Sequence, residues 1–296
     1  HDTMATTARS DLILPDILAE EVVKGVAGMN GLDGSGVLLI NPGLQAGPNE
    51  VNNTVTVPYF DSLGEAEEVA ENGALTPVKM TQSSETATVV RFGKAVSIGG
   101  LAKRAKTSGL DIYTVASAMI TNMIRRKLDA LALDRLAARA VSGSMVYDGS
   151  AASASTTSIV GTYKLFGDEI ESAGDVSLWV MNSKVYWDTA VLADSTGRPL
   201  FTPAMGDRLA SLNGVMAKMS DKTNLQVAST SPQQYHSLLC KRGAAAAWIN
   251  ENISIEIERD GLADTDVLIV NAYAVVHAYS TMPGGTKPGV ASMKTL

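Results

Sequence analysis

Cysteine, histidine and aromatic side chains are scarce in this chain, and their scarcity excludes whole classes of chemistry. The one cysteine is Cys240, so neither an intrachain disulfide nor a cysteine-rich zinc site can form. A lone thiol of this kind is expected to be a small buried apolar residue. The three histidines, His1, His236 and His277, lie far apart and keep no regular spacing to carboxylates. His236 and His277 are expected to be structural, and no catalytic residue, metal ligand or cofactor is assigned. Aromatic residues make up 5% of the chain.

Long hydrophobic runs are also missing. The best candidates, residues 244–247 and 267–276, fall short of the roughly 18 apolar residues that a membrane helix needs. No basic region followed by an apolar one opens the chain, so no signal peptide is read. Met4-Ala5 reads as a natural start, with His1, Asp2 and Thr3 a remnant of expression or processing. Positive charge is in deficit: 24 Lys and Arg against 31 Asp and Glu leave a net charge of −7. That balance disfavours sequence-independent binding to nucleic-acid phosphates.

What is present is the composition of a globular protein. The 296 residues are 45% hydrophobic and 19% charged, enough for a sizeable core in one large domain or two joined ones. Such a chain is neither disordered nor collagen-like.

The first 45 residues read as an extended arm with a short helix. Asp16 is its candidate N-cap, and Gly25, Gly28, Gly31, Gly34 and Gly36 break the pattern after it. Alternation of Val55, Val57 and Tyr59 with Thr54, Thr56 and Pro58 predicts a strand over 51–60. A second strand is expected over 86–98. About 25 residues separate the two, and they hold Asp61, Glu65, Glu67, Glu68 and Glu71 with no basic residue before Lys79. Connections of that length are usually functional. An isolated two-stranded hairpin is marginal in water, so this arm is expected to pack on something else, such as another subunit.

Ile112, Val115, Met119, Met123, Leu128, Leu131 and Leu136 keep helical spacing, and no Gly or Pro interrupts 111–142. The result is a rod of roughly 45 Å with Asp111 as N-cap. Residues 143–160, rich in Ser, Ala and Thr, read as a loop or linker. An α/β section follows: a strand near 176–181, a helix over 184–192 capped by Asn182 or Ser183, a turn at 194–199, and short strands over 212–219 and 225–228. Ile253, Ile255 and Ile257 alternate with Ser254, Glu256 and Glu258, and a polar turn leads to a last strand over 267–279. The tail after Pro283 is Gly- and Pro-rich.

Searches for chemistry mostly fail. The chain has no phosphate loop of the Gly-x-x-x-x-Gly-Lys type, no Gly-x-Ser-x-Gly elbow and no His-Glu-x-x-His helix. Gly31, Gly34 and Gly36 do not make a dinucleotide fingerprint. The carboxylates from Glu65 to Glu71 lack the spacing of an EF-hand and read as a solvated or partner-facing loop. Lys103, Arg104, Lys106, Arg125, Arg126 and Lys127 are not interleaved with aromatics, so pairing with carboxylates is preferred to nucleic-acid binding.

The order of parts resembles the major capsid proteins of tailed bacteriophages, with the HK97-type fold. The stretches that carry the resemblance are Leu63-Gly64-Glu65-Ala66-Glu67-Glu68-Val69-Ala70-Glu71, Arg91-Phe92-Gly93-Lys94-Ala95-Val96-Ser97-Ile98, the helix around Arg125-Arg126-Lys127-Leu128-Asp129, the turn Ser195-Thr196-Gly197-Arg198-Pro199-Leu200, and Ile253-Ser254-Ile255-Glu256-Ile257-Glu258-Arg259 with the strand after it. The resemblance implies an α+β capsid fold with an N-terminal arm (1–45) and an extended β-hairpin loop (46–96). A peripheral domain (97–142 and 250–283) would carry the spine helix, beside an axial α/β domain (143–249 and 284–296).

It further implies a non-enzymatic shell subunit that forms hexamers and pentamers around double-stranded DNA. Assembly would take place in the host cytoplasm, and the protein would reside in the virion. The implied partners are copies of itself, a portal protein, a separate scaffolding protein or a protease, and a decoration protein in some members; none is a membrane. Glu65, Glu67, Glu68, Glu71, Lys79, Lys103, Arg104, Arg125 and Arg126 are the expected inter-subunit contacts. The competing readings are an encapsulin-type nanocompartment shell and a soluble α/β enzyme.

Overall fold

The computed structural model describes residues 36–42, 54–60, 68–69, 71, 73–75, 77–80, 82–99, 112–167, 176–193, 195–202, 211–220, 225–228, 230–249, 254–262, 264–282 and 285–296. The short helix expected after Asp16, the Asp111 cap, and the charged residues Glu65, Glu67, Lys103 and Arg104 lie outside them.

Two sheets organise the described residues. The first contains β1 (Leu38–Pro42), β10 (Ala245–Ile249), β12 (Thr265–Ala278), β3 (Gln82–Gly99) and β2 (Thr54–Phe60) in that order, with β11 (Ser254–Asp260) on the β10 edge of β12. Only the β1–β10 pair is parallel. The second sheet runs β4 (Val146–Asp148), β13 (Val290–Thr295), β9 (Tyr235–Lys241), β5 (Val176–Asn182), β8 (Val215–Ser220), β7 (Ser211–Leu212) and β6 (Phe201–Thr202).

The long rod is α1 (Ile112–Ser142), whose 31 residues span about 46 Å. Ile120, Ile124, Leu128, Ala132, Leu136 and Ala140 recur every fourth residue and are all buried. The stripe packs against β12, β10, β9 and β13, so one helix serves strands of both sheets. In β12 the even residues from Leu268 to Ala278 join this core, which is the period-two alternation of a strand. The helix ends where Ser144 takes a positive φ of 57°. The amide of Met145 then donates to Ala140 O (2.8 Å) and that of Ser144 to Val141 O (3.2 Å), which satisfies carbonyls left over at the helix end.

The second sheet is buried on both faces. Leu178, Val180, Leu238 and Cys240 face the α1 core. Their neighbours Trp179, Met181 and Leu239 face a second core closed by α2 (Thr156–Phe166) and α3 (Ser183–Ala190). There the Trp179 indole N–H donates to the Tyr163 hydroxyl (2.9 Å), so the largest buried side chain has its polar atom satisfied.

Several expectations need correction. Residues 38–42, read as arm, form β1, and the Ala-rich run 245–249 forms β10 beside it in the first sheet. A run of small apolar residues buried on both faces has no alternation to reveal it. Residues 143–160, read as linker, contain β4 and the start of α2. Ser155 caps α2 with a reciprocal pair of bonds to Ser158. The strand expected over 212–219 is two strands around Asn213-Gly214, both at positive φ (52° and 79°), the signature of a tight hairpin. Residues 225–228 form a single bridge, Gln226 to Tyr235, and no strand. The Gly- and Pro-rich tail, for which no element is read from sequence, contains β13, which sits inside the second sheet between β4 and β9.

The hairpin surface and its root

A change of partner along β3 builds the most distinctive surface. Residues 82–88 pair with β2, and residues 89–99 pair with β12. The step from Thr88 to Val89 is therefore where a two-stranded hairpin leaves the body. Around the hairpin tip Leu75, Val78 and Met80 are more than half exposed, and Glu68, Glu71 and Lys79 are exposed beside them in sequence. At the far end of β3, an apolar cleft of about 420 Å³ opens against the start of α1, lined by Val96, Ile98, Val115, Met119 and Met123, with Lys94 at its edge. The 16 residue steps from Gln82 to Ile98 span about 53 Å as a strand. Tip and cleft thus lie at opposite ends of one element.

Arg126 is exposed and Arg125 half-buried. Each makes a polar or electrostatic contact within the chain. No ion pair joins Glu68 or Glu71 to either arginine among the described contacts. The four of the nine expected contact residues that fall outside the described set are Glu65, Glu67, Lys103 and Arg104.

A group that sequence reading passed over sits at the hairpin root. Glu85 projects from β3 toward the last turn of α1 and the end of β12. Its Oε2 lies 3.1 Å from Arg139 Nη2 and 2.6 Å from His277 Nε2, the latter an ion pair only when the imidazole is protonated. Its Oε1 accepts from the Ser280 amide (3.2 Å) and from the Ser280 hydroxyl. The Arg139 Nε donates separately to Ala278 O (3.0 Å). Burial pushes the Glu85 carboxyl upward, but the Ser280 hydroxyl, Arg139, His277 and the Ser280 amide more than offset it and hold it below 4.5. Burial pushes His277 below 6.5; Glu85 pulls it back in part, while Arg139 and Arg135 push it further down. The one legible signal was a lone carboxylate on an otherwise uncharged stretch of strand, with Ser and Thr on either side.

His236 is also partnered: its Nδ1 is 2.7 Å from Ser292 Oγ. Ser292 is fully buried in the middle of a sheet, so this pair offers no route to a substrate. Among the described residues, no group of three His, Cys, Asp or Glu is placed to hold a metal ion, and no helix is long and apolar enough to cross a membrane. Cys240 is buried, and loss of solvation pushes its thiol up to about 12.

No family model matches the sequence, and no curated protein matches it either. Solved structures do match. The capsid of Ralstonia phage GP4 aligns over 90% of this chain and 88% of its own, with a TM-score of 0.61 at 11% identity. The capsid of an empty GTA particle aligns over 90% and 92%, with a TM-score of 0.59 at 11% identity. A chain from Microbacterium phage Oxtober96 aligns over 88% and 90%, with a TM-score of 0.57 at 14% identity. Helix, hairpin and two sheets together are thus the α+β, HK97-like fold of phage capsid chains, shared across nearly the whole length of this one.

Proposed function

We propose that the chain is the major capsid subunit of a tailed bacteriophage or a particle of that kind, a structural protein with no catalytic role. The observation that carries this reading is the fold shared over about nine-tenths of the chain with phage and GTA capsids. In this reading the first sheet with α1 is the peripheral part, and the second sheet with α2 and α3 is the axial part at the centre of hexamers and pentamers. The hairpin and the N-terminal residues reach over neighbours. The subunits enclose double-stranded DNA in a virion shell assembled in the host cytoplasm. A portal protein and a separate scaffolding protein or protease take part, and a decoration protein binds the outside where one exists. An acidic subunit suits such a lumen, because it does not hold packaged DNA tightly.

Glu65, Glu67, Glu68 and Glu71 pair with cations of the adjacent subunit, among them Lys103, Arg104, Arg125 and Arg126, and Lys79 lies in the same contact. Single exposed pairs contribute about 0–1 kcal/mol, but a closed shell repeats each of them many times.

Negative-stain electron microscopy beside light scattering tests the reading. The expected result is closed shells tens of nanometres across, or free hexamers and pentamers. Native particles should contain DNA; particles filled with an enzyme cargo instead would make this a nanocompartment. A chain that stays a 31 kDa monomer even with a scaffolding partner overturns the proposal.

A further inference from the structure

The root of the hairpin is held by few groups. Beyond Val89 toward the tip, β2 and β3 pair only with each other among the described residues. Their apolar seat is small: Val57, Ala87 and Val275 are buried, with Trp248 and Tyr279 packed against them. Among the described residues, polar contacts between the root and the body converge on the carboxylate of Glu85. Glu85 reaches Arg139 on α1, His277 on β12, and Ser280 just after β12. It is the only acidic residue in β2 or β3, so the hairpin strands carry no substitute for it. A polar cleft of about 300 Å³ adjoins the cluster, lined by Thr86, Thr88, Arg135, Ser142 and His277, and leaves space beside the root.

We propose that Glu85 is a latch that holds the hairpin at a set angle to the body, and that opening it lets the hairpin bend at the Thr88–Val89 step. The body does not depend on this latch. Arg139 keeps its bond to Ala278 O when Glu85 is gone, so α1 and β12 stay joined. The inference goes beyond the shell reading and does not rest on it, since it concerns a single subunit.

Acid should open the latch. The charged and titratable groups facing it are Arg139 and Arg135 on α1, His277 on β12, and Tyr279 after it; β10 has none, and the titratable residue of β2, Tyr59, is not among the groups that act on Glu85. His277 and Glu85 both have folded values below their ordinary ones. Protonating His277 sets a cation beside the Glu85 carboxylate and does not release it. Glu85 therefore governs the latch: its contribution is full above its ordinary value and is lost as pH falls below about 4.5.

Hydrogen exchange read by mass spectrometry on the full chain, held as unassembled subunits, tests this. Protection is corrected for the intrinsic pH dependence of exchange. In E85Q at pH 7, peptides covering 54–60 and 82–88 should lose at least tenfold in protection, while those covering 112–142 and 265–278 keep theirs. In the unsubstituted chain hairpin protection should hold from about pH 7 to pH 5 and fall below about pH 4.5, and E85Q should show no such step. Hairpin protection within twofold of the parent in E85Q overturns the latch. If E85Q does not fold, the pH series on the parent decides alone. Hairpin protection that is flat with pH, or hairpin and body opening at one pH, overturns the proposal.

Discussion

Burial decides what single residues do here. Cys240 sits fully buried on the face of β9 that meets the α1 core, and its thiol is pushed up to about 12. A thiol so protonated is a poor nucleophile. Maleimide labelling followed by mass spectrometry should find the native protein unmodified for hours and fully modified once denatured. Leu128 is in the middle of the α1 stripe at 1% exposure. Leu128→Ala should cost about 2–5 kcal/mol, read as a fall in the urea midpoint, because the rigid neighbours from β12 leave a cavity. Cys240 was legible in sequence as a small buried residue, and the α1 stripe as a repeat. Glu85 was not legible, because its partners Arg139, His277 and Ser280 lie between 54 and 195 residues away along the chain.

Local chemistry sets the elements where it is strong. The bonds between Ser155 and Ser158 start α2 inside a stretch that composition alone assigns to a linker. Ser155→Ala should cost about 0.5–2 kcal/mol, read from denaturant unfolding, since it leaves the Ser158 amide without its acceptor. Gly93 belongs to the pairing of β3 with β12, opposite Asn271. A Cβ there would stand 2.2 Å from the backbone oxygen of Val270, so Gly93→Ala forces the two longest strands apart. The expected result is a loss of soluble yield and of exchange protection in 89–99, with α2 and α3 unaffected. Elements with strict periodicity, such as α1 and β11, were readable from the sequence within a few residues. β10 and β13 were not: the first is a run of alanines before Trp248, and the second lies past a Gly- and Pro-rich turn. Both are strands because sheet positions between or beside other strands await them.

At the scale of the molecule, α1 is the shared wall of two sheets, and the hairpin is the part that its own body supports least. Changing Glu65, Glu67, Glu68 and Glu71 together to Lys should lower particle yield by electron microscopy while leaving the melting temperature of the subunit within a few degrees. Unchanged yield would remove these carboxylates from the assembly contact. The apolar tip and the apolar cleft point the same way, since the length of β3 keeps them apart within one chain.

Period, charge and chain order are local quantities. By themselves they specified the long helix, the long acidic connection between two strands and the alternating strand near the end, and their order carried the resemblance to capsid proteins. Pairing is not local. That β1 joins β10, that β13 enters the middle of the second sheet, and that Glu85 meets Arg139 and His277 follow only when distant segments compete for the same hydrogen bonds and the same buried space. Tertiary structure decided those, because a buried strand or carboxylate is stable only beside the particular partner that satisfies it.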